Sequence, residues 1–284
     1  MSDIATPLVA WPPQNTFPSR LAGLHERLLD YYGIVAFVAL WEILPRLGWV
    51  DRAFIPPPSA ILAAGWKIAA TGELFRHIAV SLERVLLGFA MAVLTAVPLG
   101  FVLGGYFPRI TKFLAPLLRL FGQVNAFSLF PVFILFFGIG EVAKFAIIFW
   151  TSLWPVLSLT IAGIRNVDPS LIKTARSMGA GKVPIFFKVL LPGAAPPIFT
   201  GIRIGLTVAF LMLIAAEMLG ASSGLGWLIL NSQVNYMIPR MFAAAVTIAI
   251  LGMGANWLLR CAEARVVVRQ GQSTGDAALL RRAY

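Results

Sequence analysis

Between Asp168 and Pro192 a short polar stretch, DPSLIKTARSMGAGKVPIFFKVLLP, interrupts a chain that is otherwise strongly apolar. Its residue types suit docking rather than bond-making: Lys173, Arg176, Lys182 and Lys188 are cations, Asp168 is the one acid, and Gly179 sits centrally. Pro169 and Ser170 open a helix that runs through Met178 and carries Leu171, Ala175 and Met178 on one face, at i, i+4 and i+7. Gly179, Ala180 and Gly181 then break it, and a second short helix follows from Val183 to Leu190, ended by Pro192. The pattern predicts a helix-turn-helix with an apolar side and a basic side. The competing reading is a solvated loop whose cations satisfy only the positive-inside bias of membrane proteins.

Other chemistry is thin. Gly179-Ala180-Gly181-Lys182 has a superficial likeness to a phosphate loop, but Val183 follows the lysine and Arg176 stands where the first glycine is needed. No HExxH, Ser/His/Asp set or clustered carboxylates are present, which argues against an enzyme. Cys261 is single, and His25 and His77 lack ligand spacing, so no disulfide or metal centre is expected on this chain. Polar residues inside apolar stretches are the remaining candidates, because they are costly in lipid. Gln123, Asn125 and Ser128 share a stretch with Pro131, and the choice between a polar pathway lining and interhelical hydrogen bonding stays open. Glu217, beside the loop GASSGLG, either pairs within the subunit or belongs to an outer gate. Arg203 reads as a structural cation near the inner surface, or as an attractor of anions. Glu42 reads as interfacial, and Gly100 and Gly104, followed by Gly105, read as a close helix-packing motif.

These residues must be positioned by membrane helices. The chain is 59% hydrophobic and 12% charged, and its mean hydropathy is +0.84. Apolar runs of about 20 residues recur, the length that crosses a bilayer core as helix. Six spans are predicted: Tyr32–Trp49, Leu82–Gly104, Arg119–Ile139, Ala143–Gly163, Pro196–Leu219 and Arg240–Cys261. The third is interrupted by Gln123, Asn125, Ser128 and Pro131. The fold class is therefore all-α and polytopic. Basic residues cluster on one side, in the loops holding Arg109, Lys112 and Arg119 and then Arg165 to Lys188, and near both termini. That side is the expected cytoplasmic one, with both termini on it. The net charge of +11 thus reads as topology and contact with anionic lipid, not as a nucleic-acid footprint. Residues 1–30 form a polar tail without a signal-peptide core, residues 31–265 the transmembrane domain with the loop 165–192, and residues 266–284 a second tail, disordered after Arg269. The first span reads as an addition to a five-span core. In the outer segment, Ile55-Pro56-Pro57-Pro58-Ser59 is a rigid run and Ala60 to Leu74 an amphipathic surface helix.

The stretch KTARSMGAGKVPIFFKVLLP resembles the cytoplasmic signature of permease subunits of binding-protein-dependent ABC importers. That signature is Glu-Ala-Ala, three residues, Gly, nine residues, an aliphatic, one residue, Leu-Pro. Lys173, Thr174, Ala175, Gly179, Val189, Leu191 and Pro192 occupy its positions, with Lys173 replacing the glutamate and Thr174 the first alanine. SLERVLLGF, PLGFVLGGY, PVFILFFGIGE, PPIFTGIRIGL and AAEMLGASSGLGWLI are similar to the same family in the same order, nearest the nitrate, sulfonate, taurine and bicarbonate branch.

The resemblance implies a type I importer fold of about six spans in a bacterial inner membrane. It implies that Leu171, Lys173, Thr174, Ala175, Met178, Gly179, Ala180, Val189, Leu191 and Pro192 couple to a separate ATPase. Two ATPase copies would hold ATP and Mg, none of it on this chain; an extracytoplasmic binding protein would deliver a small anion such as a sulfonate, taurine or nitrate; and a second copy of this chain would complete the path. The classes weighed against it are an ion-driven secondary transporter, which usually carries midplane ionisable groups or repeated halves, and a membrane enzyme.

Overall fold

The computed structural model describes residues 19–282, with side chains from 32 to 265; most of the expected tail before Asp30 lies outside the described residues. Every described regular element is helical. The chain divides into two units, residues 1–60 and 61–284. In the first, α1 (Ser19–Arg46) takes in part of the expected tail and stops short of Trp49. Its end is closed by Arg52, whose Nε and Nη2 donate to the carbonyls of Pro45 and Arg46 at 2.9 and 3.2 Å, groups that a helix C-terminus otherwise leaves unpaired. Glu42 accepts from the backbone N–H and hydroxyl of Ser59 at 3.0 and 2.7 Å, fixing the start of α2 (Pro58–Ala70).

In the second unit the long helices are α3 (Glu73–Phe101), α6 (Glu141–Arg165), α9 (Leu191–Gly220) and α11 (Ile238–Arg282). The span expected from Leu82 begins at Glu73, right after the left-handed turn at Gly72. The end expected to be disordered after Arg269 continues as helix α11. Between them lie α4 (Pro108–Gln123), α5 (Ala126–Phe137), α7 (Pro169–Ser177), α8 (Lys182–Ile185) and α10 (Leu225–Val234). Among the described residues four helices are long and apolar enough to cross a membrane, and the pair α4 and α5 adds a fifth if counted as one bent span. The predicted span Arg119–Ile139, expected to be interrupted, is formed by this bent pair rather than by one helix. Val124 and Asn125 adopt extended backbone, Asn125 accepts from the Phe127 N–H at 3.0 Å to cap α5, and the two helices bend by 92°. The cap, not Pro131, makes the break.

The core is the packing of α6 against α3 and α9. Lipid offers no hydrophobic drive between helices, so small residues that allow close backbone approach do the work. A Cβ on Gly100 would sit 2.5 Å from Thr160 Cγ2, and one on Gly205 would sit 2.9 Å from Val156 Cγ2. The predicted packing role of Gly100 holds on those grounds. Val85, Ala92, Ala96, Val156, Leu157, Ala209 and Leu213 are buried along the same seams.

Candidate functional site

The helix-turn-helix predicted from Asp168 onward is present, with one change. Asp168 caps α7, its carboxylate accepting from the Ser170 N–H at 2.8 Å, and Pro169 occupies the first turn where no N–H is needed. Hydrogen bonding from Ser170, side chain first and then backbone, holds the Asp168 carboxyl below the usual carboxylate range. At the other end the Met178 and Ala180 N–H groups donate to the Thr174 and Ala175 carbonyls, and Gly179 takes φ +80°. A residue with a Cβ is strained there, so the glycine sets the reversal. The apolar face survives as an exposed one: Leu171 is 54% and Met178 82% accessible, Ala175 is half-buried, and Lys173 and Thr174 are exposed.

The change concerns the second helix. It was expected to end at Pro192, but α8 passes through a π-helical turn (Phe186–Leu190) straight into α9, with Pro192 in the first turn of α9. Pro192 carries no N–H, so one carbonyl of the preceding turn goes without its helical partner inside this continuous helix. Phe186 packs edge-on against Phe101 at 4.9 Å, and Ile172, Leu190 and Leu191 pack on a core of Phe101, Ile164, Val167, Ala194 and Ile198. The docking segment is thus continuous with the membrane helix behind it.

At the opposite end of α9 stands a buried charge network. Glu217 is fully buried and accepts from Ser81 Oγ at 2.8 and 2.9 Å, Arg84 Nη1 at 2.8 Å and the Gly226 N–H at 2.8 Å. Arg84, 3% exposed, also donates Nε and Nη2 to the two oxygens of Glu141 at 2.6 Å and Nη1 to the Ser223 carbonyl at 2.6 Å. Lys144 donates to Glu141 at 2.8 Å. Two cations face two carboxylates, and the Glu217 oxygens also accept from the Ser81 hydroxyl and the Gly226 N–H, the condition under which buried charge is tolerated. The loop Ala221–Gly224 is pinned by the same set. Leu225 N–H donates to Ser81, Gly224 N–H donates to His77 Nδ1 at 3.0 Å, and His77 stacks on Trp227 at 5.4 Å. A Cβ on Gly224, at φ +117°, would lie 2.3 Å from the Glu217 carboxylate.

Between these ends, where α4 breaks into α5, a cavity of about 640 Å³ opens against α6 and α9. Arg119, Gln123, Asn125, Trp150, Trp154 and Ser158 are among its lining residues, and no Asp or Glu is.

Residues 96–268 match the family described as binding-protein-dependent transport system inner membrane component. This chain belongs to that family. Among its curated relatives is SsuC of Escherichia coli (strain K12), named as an aliphatic sulfonates transport permease, 34% identical over 81% of this chain and 87% of SsuC. Another is the taurine transport system permease protein TauC of the same strain, 31% identical over 84% of this chain and 88% of TauC. The fold is similar to that of the inward-facing MetNI methionine ABC transporter, with a TM-score of 0.56 at 20% identity over 71% of this chain and 97% of that one. The protein is therefore a multi-pass inner-membrane permease of the ABC importers, a component that works with ATPase and binding-protein partners.

In this permease the residues picked from sequence fall in three places. Leu171 to Ala180 form α7 and its reversal, while Val189, Leu191 and Pro192 lie in the π turn and the start of α9. Gln123 and Asn125 line the cavity; Ser128 is exposed on α5 outside its lining. Glu217 lies in the buried network, not along the cavity. Arg203 forms an ion pair with Glu263, matching the structural-cation reading. Sequence reasoning missed Ser81 and Arg84 as partners of Glu217, Glu141 and Lys144 as the pair that extends the network through Arg84, and Arg119, Trp150 and Trp154 beside the cavity.

Proposed function

We propose that this permease forms the translocation path for a small anion, such as a sulfonate, taurine, nitrate or a related solute, delivered by an extracytoplasmic binding protein and moved by ATP hydrolysis on a separate subunit. The observation that carries the reading is the exposed apolar face of α7, hinged at Gly179 and continuous through α8 into α9. An ATPase that grips Leu171, Ala175 and Met178 would move α9 through α8, because only the hydrogen-bonded turn Met178–Gly181 separates α7 from the continuous α8–α9 helix. Lys173, Thr174, Gly179 and Ala180 set the shape and charge of the docked end, and Val189, Leu191 and Pro192 join it to the membrane helix. Lys173 places a cation where the family signature carries a glutamate, so the partner groove is expected to present an acidic or neutral surface there.

On this reading two copies of the permease face two ATPases, which hold ATP and Mg, and this chain holds no cofactor. The coupling segment and both termini lie on the cytoplasmic side, where the basic loops are retained. Names of the relatives support the anion class: aliphatic sulfonates and taurine share a sulfonate group.

Purification from the native membrane in mild detergent, followed by mass spectrometry, tests the assembly. An ATPase with a phosphate loop, recovered in equal amount to this chain, is the expected result. Recovery of the chain alone, active in ion-coupled uptake, would replace the reading with a secondary transporter.

A further inference from the structure

Two π-helical turns, Val102–Tyr106 at the end of α3 and Phe186–Leu190 between α8 and α9, frame a second cavity of about 550 Å³. Phe101 meets Phe186 edge-on at 4.9 Å, and a Cβ on Gly105 would touch Leu190 at 3.8 Å, so the two helices close together beside it. Val97, Phe101 and Val102 line it from one helix, and Val183, Phe187 and Leu191 from the other. Its polar side chains are Tyr106 and Lys182, and no Asp or Glu belongs to it. Tyr106, Val183 and Phe187 are 62%, 66% and 60% exposed, so the space is an open cleft. Its depth follows from the spans. Tyr106 is the last residue of the apolar span Glu73–Tyr106, and Lys182 is the first of Lys182–Gly220. The polar pair therefore stands at headgroup level, where Tyr and Lys are favoured, and the other lining residues stand in the hydrocarbon. From Tyr106 back to Val97, and from Lys182 on to Leu191, the lining runs about 13 Å at the usual helical rise. That is close to half of a ~30 Å hydrocarbon core. Lys182 has no ion pair or hydrogen bond to any described residue.

We infer that the cleft binds one anionic phospholipid of the leaflet at the Tyr106–Lys182 end, its headgroup phosphate on Lys182 and the Tyr106 hydroxyl and an acyl chain along the apolar walls. One cation at the mouth of a path one leaflet deep matches an amphiphile with a negative head. A zwitterionic headgroup would bring an ammonium beside Lys182 with no carboxylate in the lining to receive it. The site goes beyond the permease reading and rests on it only for naming this leaflet as cytoplasmic, where anionic lipid attracts basic residues, and for the consequence that follows. α8 and its π turn join the exposed α7 to α9, so a chain lodged between them and α3 sets their spacing. A ligand that fits one spacing better than another shifts the population toward it. Anionic lipid in this cleft therefore tunes ATPase coupling.

Native mass spectrometry of the permease–ATPase complex, titrated with phosphatidylglycerol or with phosphatidylcholine of the same chains, tests the site. The first lipid bound per permease chain should favour phosphatidylglycerol by about fivefold, the effect of one basic residue beside an anionic headgroup. Lys182→Gln should bring that ratio near one and Lys182→Arg should keep it. Val102→Trp, which fills the cleft, should weaken both lipids. Lys188→Gln, a neighbouring cation outside the lining, should leave the ratio unchanged. Equal losses in Lys182→Gln and Lys188→Gln would reveal diffuse attraction to a basic surface and overturn the site. A preference shown by the free chain but lost in the complex would place protein in the cleft and overturn it as well. ATP hydrolysis in nanodiscs separates the levels. Adding phosphatidylglycerol to phosphatidylcholine discs should shift the binding-protein-stimulated rate by about two- to fivefold in wild type, bounded by the lipid's own preference, and not in Lys182→Gln. An unmoved rate overturns the tuning. A complex whose ATPase never responds to the binding protein in either lipid sinks the permease reading and leaves the lipid site standing.

Discussion

The two ends of α9 handle polar groups in opposite ways. At Glu217 every charge is paired and all but Glu141 are buried, and the loop beside it is fixed by three backbone N–H groups on Glu217, Ser81 and His77. At Leu191 the chain leads into an apolar, cationic segment that is largely exposed and holds its shape by a cap, a left-handed glycine and a π turn. One end is specified by side-chain chemistry in a low dielectric, the other by backbone conformation at a surface. Because α9 is 30 residues of unbroken helix, about 45 Å long at the usual rise, a push at the exposed end reaches the buried end with little loss. The contrast assigns tasks. On the proposed function, the network gives the Glu217 end of α9 a fixed reference, and the exposed segment gives the Leu191 end a handle.

The largest effect is expected where buried charge loses its partner. Glu217→Ala leaves Arg84 facing Glu141 alone and uncaps the first turn of α10; the loss expected from breaking a buried pair is about 3–5 kcal/mol. A fall in the unfolding midpoint in detergent, with little protein left in the membrane, would report it. The double variant Arg84→Met with Glu217→Met should recover much of that loss, because an apolar pair of similar volume replaces the charges. Wild-type stability in Glu217→Ala would erase the distinction between the two ends.

Gly179→Pro should do the reverse: function lost, with a smaller cost in stability. Proline fixes φ near −65° and cannot adopt +80°, so α7 would leave its angle to α8 while the membrane core stays untouched. ATP-dependent uptake in proteoliposomes should fall by at least about tenfold, with an unfolding midpoint lowered by less than in Glu217→Ala, because the strain is confined to an exposed turn. Wild-type uptake in this variant would remove the reversal from the mechanism.

Which parts were legible in the sequence follows the same division. The coupling segment is local: its cap, apolar face and glycine lie within a dozen residues, and spacing alone reveals them. The network is assembled from α3, α6, α9 and the loop before α10, so no short window contains it. A signal was nonetheless present. His77, Ser81 and Arg84 fall at i, i+4 and i+7, in phase with Gly88, Ala92, Ala96 and Gly100, the buried stripe of α3; starting the span at Leu82 cut His77 and Ser81 from that stripe and left Arg84 in its first turn without them. From sequence the interruption of the third span falls among Gln123, Asn125, Ser128 and Pro131 with no choice between them, and the break lies at Val124–Asn125. Pro131 is the louder breaker, but an asparagine able to cap its own next turn decides the geometry. The passage from α8 into α9 was hidden by Pro192, because a proline that ends one helix and a proline that begins another look alike until the hydrogen bonds are traced.

The smallest effect sharpens the surface end of the comparison. Asp168 caps α7 from a fully exposed position, and its carboxyl is held below the usual range by Ser170. A depressed carboxylate contributes stability that is fully present above its unfolded pKa and is lost as pH falls through the lower folded value. Coupled ATP hydrolysis should therefore be flat between about pH 5 and 8 as far as this cap is concerned. Asp168→Asn should stay close to wild type, because asparagine caps equally well without charge, while Asp168→Ala should lower coupling by a few fold at every pH in that window. If Asp168→Asn falls as far as Asp168→Ala, charge rather than backbone geometry holds the surface end. The contrast with Glu217 would then narrow to a difference in burial alone.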